Sequence, residues 1–180
     1  MLAARDILPA VICAACLISC CIPCPPDIGQ PLDLTQVAGE WFLVAGTPMN
    51  ESLSRCGRFL VRQTSASKFD AKYTAVSYKM NIPIVFNING DIIGKEIVGT
   101  WQLQGSNKKL GPLRHIIVHA KYDTVLGMFV CSKSPNRGYK FAMIWSRERS
   151  LPLPILEELK SKLGAYINQE RIRMVDHRSC

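Results

Sequence analysis

Between residues 39 and 146 the apolar residues fall in short runs, each ended by Gly, Pro, Asn or a polar cluster, and a chain patterned this way closes its core as sheet. The runs span 39–46, 56–63, 73–80, 84–88, 92–98, 100–104, 115–120, 125–131 and 139–146. They are rich in β-branched and aromatic residues, and Tyr73-Thr74-Ala75-Val76-Ser77-Tyr78 alternates clearly. Asn89-Gly90-Asp91 predicts a hairpin turn, because Asn-Gly reaches positive φ at little cost. Residues 47–53, 64–68, 105–112 and 134–138 read as loops and turns. Short strands at this spacing indicate a β-sandwich or a β-barrel.

The first run decides between them. Gly39-Glu40-Trp41 places a glycine two residues before a tryptophan, so the backbone can turn tightly while the indole returns to the same side of the pleat and fills a large apolar site. That indole needs a distant partner. Arg147, at the end of Ile144-Trp145-Ser146-Arg147, is the best candidate, since a guanidinium laid over an indole gains cation–π attraction and can donate to nearby backbone. First and last strands then meet at one floor, and the sheet is closed. One helix follows: Ile155, Leu156, Leu159, Leu163, Tyr166 and Ile167 recur at helical spacing, and Pro154 suits a first turn, giving a helix over about 154–167 and a tail over 168–180.

Residues 7–21 are almost wholly apolar or small, too short for a comfortable span and followed by Pro23, Pro25 and Pro26, which reads as a signal peptide over 1–21. Its Cys13 and Cys16 would be removed with it. Leu17-Ile18-Ser19-Cys20 also has the form of a lipoprotein box, which would anchor a bacterial chain at Cys20. Residues 22–180 form a single domain, roughly 160 residues being enough for one core and too few for two. Of eight cysteines, Cys24, Cys56, Cys131 and Cys180 belong to this domain, an even number with three possible pairings. Asn50-Glu51-Ser52 is a glycosylation sequon. The net charge of +8 is scattered, without basic runs or interleaved stacking aromatics, so nucleic acid is not an expected partner.

The residues at the two ends of the sheet carry a resemblance. Gly39-x-Trp41 and Arg147 stand where the lipocalin family has its first and third signatures; the second is degenerate, Ala120-Lys121-Tyr122 followed by Asp123 keeping only the aromatic. With Cys24-Pro25-Pro26 and four spaced cysteines, the chain from Cys24 to Cys180 resembles the bilin-binding protein, insecticyanin and apolipoprotein D group. The resemblance implies an all-β fold: an eight-stranded antiparallel up-and-down barrel over about 39–147, with the C-terminal helix packed on its outside. It also implies disulfides Cys24–Cys131 and Cys56–Cys180, a flap over 47–53, and a secreted, non-enzymatic carrier. Its expected ligand is small and hydrophobic, a bilin, retinoid or fatty acid, with no cofactor required and no stable membrane insertion. A cell-surface receptor is a further partner of this kind of protein.

Side-chain parity gives the wall of such a cavity. Leu43 shares a face with Trp41, and Tyr139, Phe141, Met143 and Trp145 share one with Arg147; Tyr78 and Trp101, with Val76 and Phe86, are further candidates. Gly39, Trp41 and Arg147 are assigned to the floor. Catalytic constellations are sparse. His115 and His119 are predicted to lie about 13 Å apart along one strand face, out of range for sharing a metal, and His177 lies in the tail. Two alternatives stand beside the carrier. One is a lipocalin scaffold that binds another protein through its loops around a collapsed cavity; the other is an isomerase using Cys56 as a free thiol.

Overall fold

The structure, a computed structural model, describes residues 24–26, 29–48, 54–132, 138–178 and 180. The expected leader over 1–21, the anchoring alternative at Cys20 and the sequon at Asn50 lie outside the described residues. Eight antiparallel strands follow one another around the sheet: β1 (Gly39–Gly46), β2 (Ser54–Ser65), β3 (Lys68–Ser77), β4 (Pro83–Ile93), β5 (Glu96–Leu103), β6 (Lys109–Lys121), β7 (Val125–Ser132) and β8 (Lys140–Ser146). β1 pairs with β8 over Phe42 to Gly46 and with β2 over Gly39 to Phe42, so the sheet closes on itself. Closure removes the edges that would template aggregation and creates an inside.

The seam between β1 and β2 is completed by the tail. β2 bulges between Arg55 and Arg58, with Cys56 at φ 60, and peels away from β1. The two-residue strand β9 (Arg173–Met174) takes its place along Ala45 and Gly46. Val175 N then donates to Val44 O at 3.0 Å, and Cys56 N to Asp176 O at 2.9 Å. The Cys56–Cys180 disulfide fastens this insert, and Cys24–Cys131 ties the lead-in to β7, the pairing that the lipocalin resemblance implied. Arg114 reinforces the lead-in by donating to the carbonyls of Pro25 and Pro26.

The core has two parts. Inside the barrel, Trp41, Phe59, Tyr73, Phe86, Trp101 and Trp145 pack together. Outside, Leu156, Leu159 and Leu163 of α2 (Leu153–Leu163) press on Val125, Phe129 and Ile144. The helix stops at Leu163, four residues before the end expected at 167, and Ile155 is an exposed member of the apolar set. Tyr166, past the helix, stacks on Phe129 at 5.3 Å. A single turn, α1 (Leu34–Val37), precedes β1 and has no counterpart among the expected helices. Asp33 caps it, accepting from Thr35 N and Gln36 N, and the Thr35 and Gln36 side chains on its carboxylate hold its pKa down at about 2.

The predicted hairpin at Asn89-Gly90-Asp91 is corrected. β4 runs straight through these residues, pairing Gly90 with Phe69 on one side and Gly99 on the other. Gly90 is required by space: a Cβ there would fall inside the Phe69 ring, which lies across the strand. The turn comes after Ile93, at Gly94, whose φ is +65. The expected runs 92–98 and 100–104 therefore merge into the end of β4 and β5. β6 likewise begins at Lys109, inside what reads as a turn, because a bulge opposite Gly99 and Trp101 absorbs Gly111-Pro112 into the strand.

Candidate ligand-binding site

The floor is built from both chain ends. Trp41 is buried, its Nε1 donates to Val37 O at 2.7 Å, and the Arg147 guanidinium carbon lies 3.7 Å from the ring centroid. Arg147 also donates to the carbonyls of Glu40 at 2.8 Å, Gln36 at 2.8 Å, Ala38 at 3.1 Å and Tyr122 at 3.1 Å. One side chain thus ties α1, β1 and the β6–β7 turn together. Gly39 has φ +99, and a Cβ on it would stand 3.3 Å from Arg147 Nη1, so the glycine serves both the backbone and the guanidinium. Tyr122, the retained member of the degenerate second signature, shares this floor: its hydroxyl accepts from Asp33 N at 2.9 Å and donates to Pro31 O at 3.2 Å.

Above the floor the interior falls into two spaces. A lower void of about 60 Å³ is lined by Trp41, Phe69, Ala71, Ile97, His115 and Trp145, among others. A larger chamber of about 710 Å³ opens toward Thr47, Ser54, Ile82, Leu103 and Gln104. Phe59, Trp101 and Met143 border both and form the waist between them. The waist is aromatic. Phe59 meets Trp145 edge-on at 3.5 Å and Trp101 at 5.8 Å, and Trp101 meets Phe141 at 5.5 Å and Phe86 at 5.9 Å. No Asp, Glu, Lys or Arg lines either space among the described residues. The chamber's polar groups are neutral: Thr47, Ser54, Tyr73, Ser77 and Gln104. Ser54 and Tyr73 hydroxyls pair at 3.1 Å, and burial pushes the Tyr73 phenol up, keeping it protonated.

Of the expected wall residues, Leu43, Trp101, Phe141 and Met143 line the upper chamber, and Trp101, Met143 and Trp145 line the lower void. Two do not belong there. Tyr78 is 55% exposed, lies past the end of β3, and places its hydroxyl 3.4 Å from Asp176 Oδ2. Tyr139 is 36% exposed and precedes β8. Val76 also faces outward, because the buried face of β3 is Phe69, Ala71, Tyr73, Ala75 and Ser77. Phe86 does line the chamber, while Phe59, Tyr73 and His115 are lining residues that parity reasoning had not singled out.

The two histidines of β6 do not share a face. The bulge between Ile117 and His119 switches parity, leaving His115 inside and His119 outside beside Lys162 Nζ, at 3.2 Å. His115 accepts from Trp101 Nε1 at 3.1 Å and is buried, which lowers its pKa to about 4. The unfolded chain, with an imidazole near 6.5, takes up a proton as pH falls that the folded chain refuses until about 4. Stability is therefore full above 6.5 and declines between those values, by roughly 3 kcal/mol. Urea titrations from pH 7 to pH 4 should show this decline, and His115→Gln should flatten it; an unchanged slope in the variant would locate the effect elsewhere. Among the described residues no group of His, Cys, Asp and Glu is placed to hold a metal ion, and no helix is long and apolar enough to cross a membrane.

No family model and no curated protein matches the sequence. Solved structures do match. Lobster apocrustacyanin A1 is 18% identical, with 81% of each chain covered and a TM-score of 0.63. Insecticyanin from the tobacco hornworm Manduca sexta is 16% identical over 88% of this chain and 89% of its own, with a TM-score of 0.67. The amine-binding protein of Rhodnius prolixus, in complex with tryptamine, is 12% identical over 85% of this chain and 86% of its own, with a TM-score of 0.69. At such identities what is shared is architecture, and that architecture, an eight-stranded closed barrel with one outer helix and a Trp41–Arg147 floor, is the lipocalin fold.

Proposed function

We propose that the protein is an extracellular carrier of a small, uncharged hydrophobic molecule held inside the barrel. The observation that carries this reading is the chamber of about 710 Å³ with no charged side chain among its described lining residues. Burial of apolar ligand surface there supplies the driving force at about 25 cal/mol per Å², and few polar groups remain to be desolvated. The apolar N-terminal segment and the two disulfides support export to an oxidising compartment. The structural neighbour that holds tryptamine shows that this architecture accepts a small aromatic molecule in one of its forms.

The chamber weighs against the loop-binding alternative, which requires a collapsed cavity. The thiol isomerase alternative loses its nucleophile, since Cys56 is bonded to Cys180. Neutral lining also ranks the expected ligands: a retinoid alcohol should bind better than a fatty acid or a bilin, whose carboxylates would find no cation along the described wall. Trp41, Trp101 and Trp145 all border the lower void, so tryptophan emission reports occupancy. Titration with retinol should quench that emission at micromolar concentrations, with palmitate and biliverdin weaker. Silence with all three would remove the carrier reading.

A further inference from the structure

Two buried hydrogen-bond donors inside the barrel, Trp145 Nε1 and His115 Nδ1, have no acceptor among the described residues. The tautomer of His115 follows from its neighbour. An indole N–H can only donate, so the His115 Nε2 that receives Trp101 Nε1 carries no proton, and the neutral ring must hold it on Nδ1. Burial keeps the ring neutral; the backbone carbonyls of Ile97 and Leu113 approach it and favour the charged form more weakly, at a distance or angle too poor to satisfy Nδ1. His115 is 5% exposed and Trp145 3%, so bulk water does not serve either group.

Both side chains border the same lower void, whose remaining wall is apolar. Native interiors leave few such donors unpaired, because each costs about 1–3 kcal/mol. What would satisfy them is an acceptor brought in from outside. A carboxylate is a poor one, since no cation lines the void among the described residues and a buried unpaired charge is costly. A neutral carbonyl oxygen, with two lone pairs and no proton of its own, suits a pair of N–H donors. Met143, unbranched and set in the waist, can yield to admit it.

We propose that the lower void seats the carbonyl oxygen of an otherwise apolar ligand, received by Trp145 Nε1 and His115 Nδ1, with the body of the ligand in the chamber above. The carrier reading is its premise. It adds an orientation, polar end inward, and a ligand class, uncharged ketones, aldehydes or esters.

Valerophenone and pentylbenzene share one skeleton and differ only in a carbonyl replacing a methylene, so their affinity ratio isolates the oxygen. Both should quench tryptophan emission. In Trp145→Phe, which keeps an aromatic ring and removes the donor, the ketone-to-hydrocarbon ratio should fall by about fivefold or more. In the unaltered protein, the Trp145 indole proton should move downfield with valerophenone and stay in place with pentylbenzene, a readout that holds even if the variant does not fold. If both compounds bind, the ratio is the same in the variant and the indole proton is insensitive to the oxygen, the donors hold internal water instead and the seat is wrong while the carrier stands. If neither compound nor retinol binds, the carrier reading falls and takes the seat with it.

Discussion

Replacing Cys56 and Cys180 with serine is expected to lower the unfolding free energy by about 4–5 kcal/mol. The bond joins residues 124 apart in sequence, so cutting it returns a long loop's worth of conformational freedom to the unfolded chain. A second loss adds to the first. The bridge holds the tail in the gap where β2 leaves β1, and with it the bonds from Val175 N to Val44 O and from Cys56 N to Asp176 O. His177, whose ring nitrogen lies 2.9 Å from Leu43 O and whose ring meets Phe42 edge-on at 5.9 Å, would lose its anchor with them. Urea unfolding of the double serine variant measures the sum, and amide exchange at Val175 and at position 56, the donors of those two bonds, should rise above the global rate. A loss below about 1 kcal/mol, with those amides still protected, would mean that the tail holds itself in place.

Trp41→Ala is the second large change, with an expected cost of about 4 kcal/mol, the range for deleting a buried aromatic. The indole fills the base of the barrel, satisfies Val37 O and supports the guanidinium of Arg147. Without it, Arg147 has only its backbone carbonyls to hold it over an emptied site. The two residues should therefore couple: Arg147→Met should cost less in the Trp41→Ala background than alone, by about 1 kcal/mol, the size of a partly shielded cation–π contact. Additive losses would show that the guanidinium and the indole act independently, and that the floor is a set of separate contacts.

Trp41 and Arg147 were legible because their chemistry is unusual and their partners few: a glycine–tryptophan pair opening the first strand, and an arginine closing the last. The helix was legible from its period. What misled was local grammar overruled by distant packing. Asn89-Gly90 is a hairpin signal wherever a chain is free to turn, but Phe69 on the neighbouring strand needs the open surface of Gly90, and nothing nearby in sequence announces that. The error at Tyr78 and Val76 had another origin. β3 starts at Lys68, and the alternation Phe69, Asp70, Ala71, Lys72, Tyr73 puts the charged residues on the even positions; a strand read from Tyr73 onward drops the charges that orient it. His119 was turned outward by a bulge, which inserts a residue without any sequence mark. The lower void with its two unpaired donors was invisible for the same reason: it depends on which residues all eight strands bring to one depth.

A ligand that enters the barrel must compete with anything else that fills the chamber, so a bulky side chain placed there should exclude it. Ile84 lines the upper space on β4. Ile84→Trp should leave the circular dichroism and the pH 7 stability near those of the unaltered protein, within about 1–2 kcal/mol, while weakening retinol binding by tenfold or more. An affinity for retinol unchanged by the plug would place the ligand outside the barrel and rule out carriage in its interior.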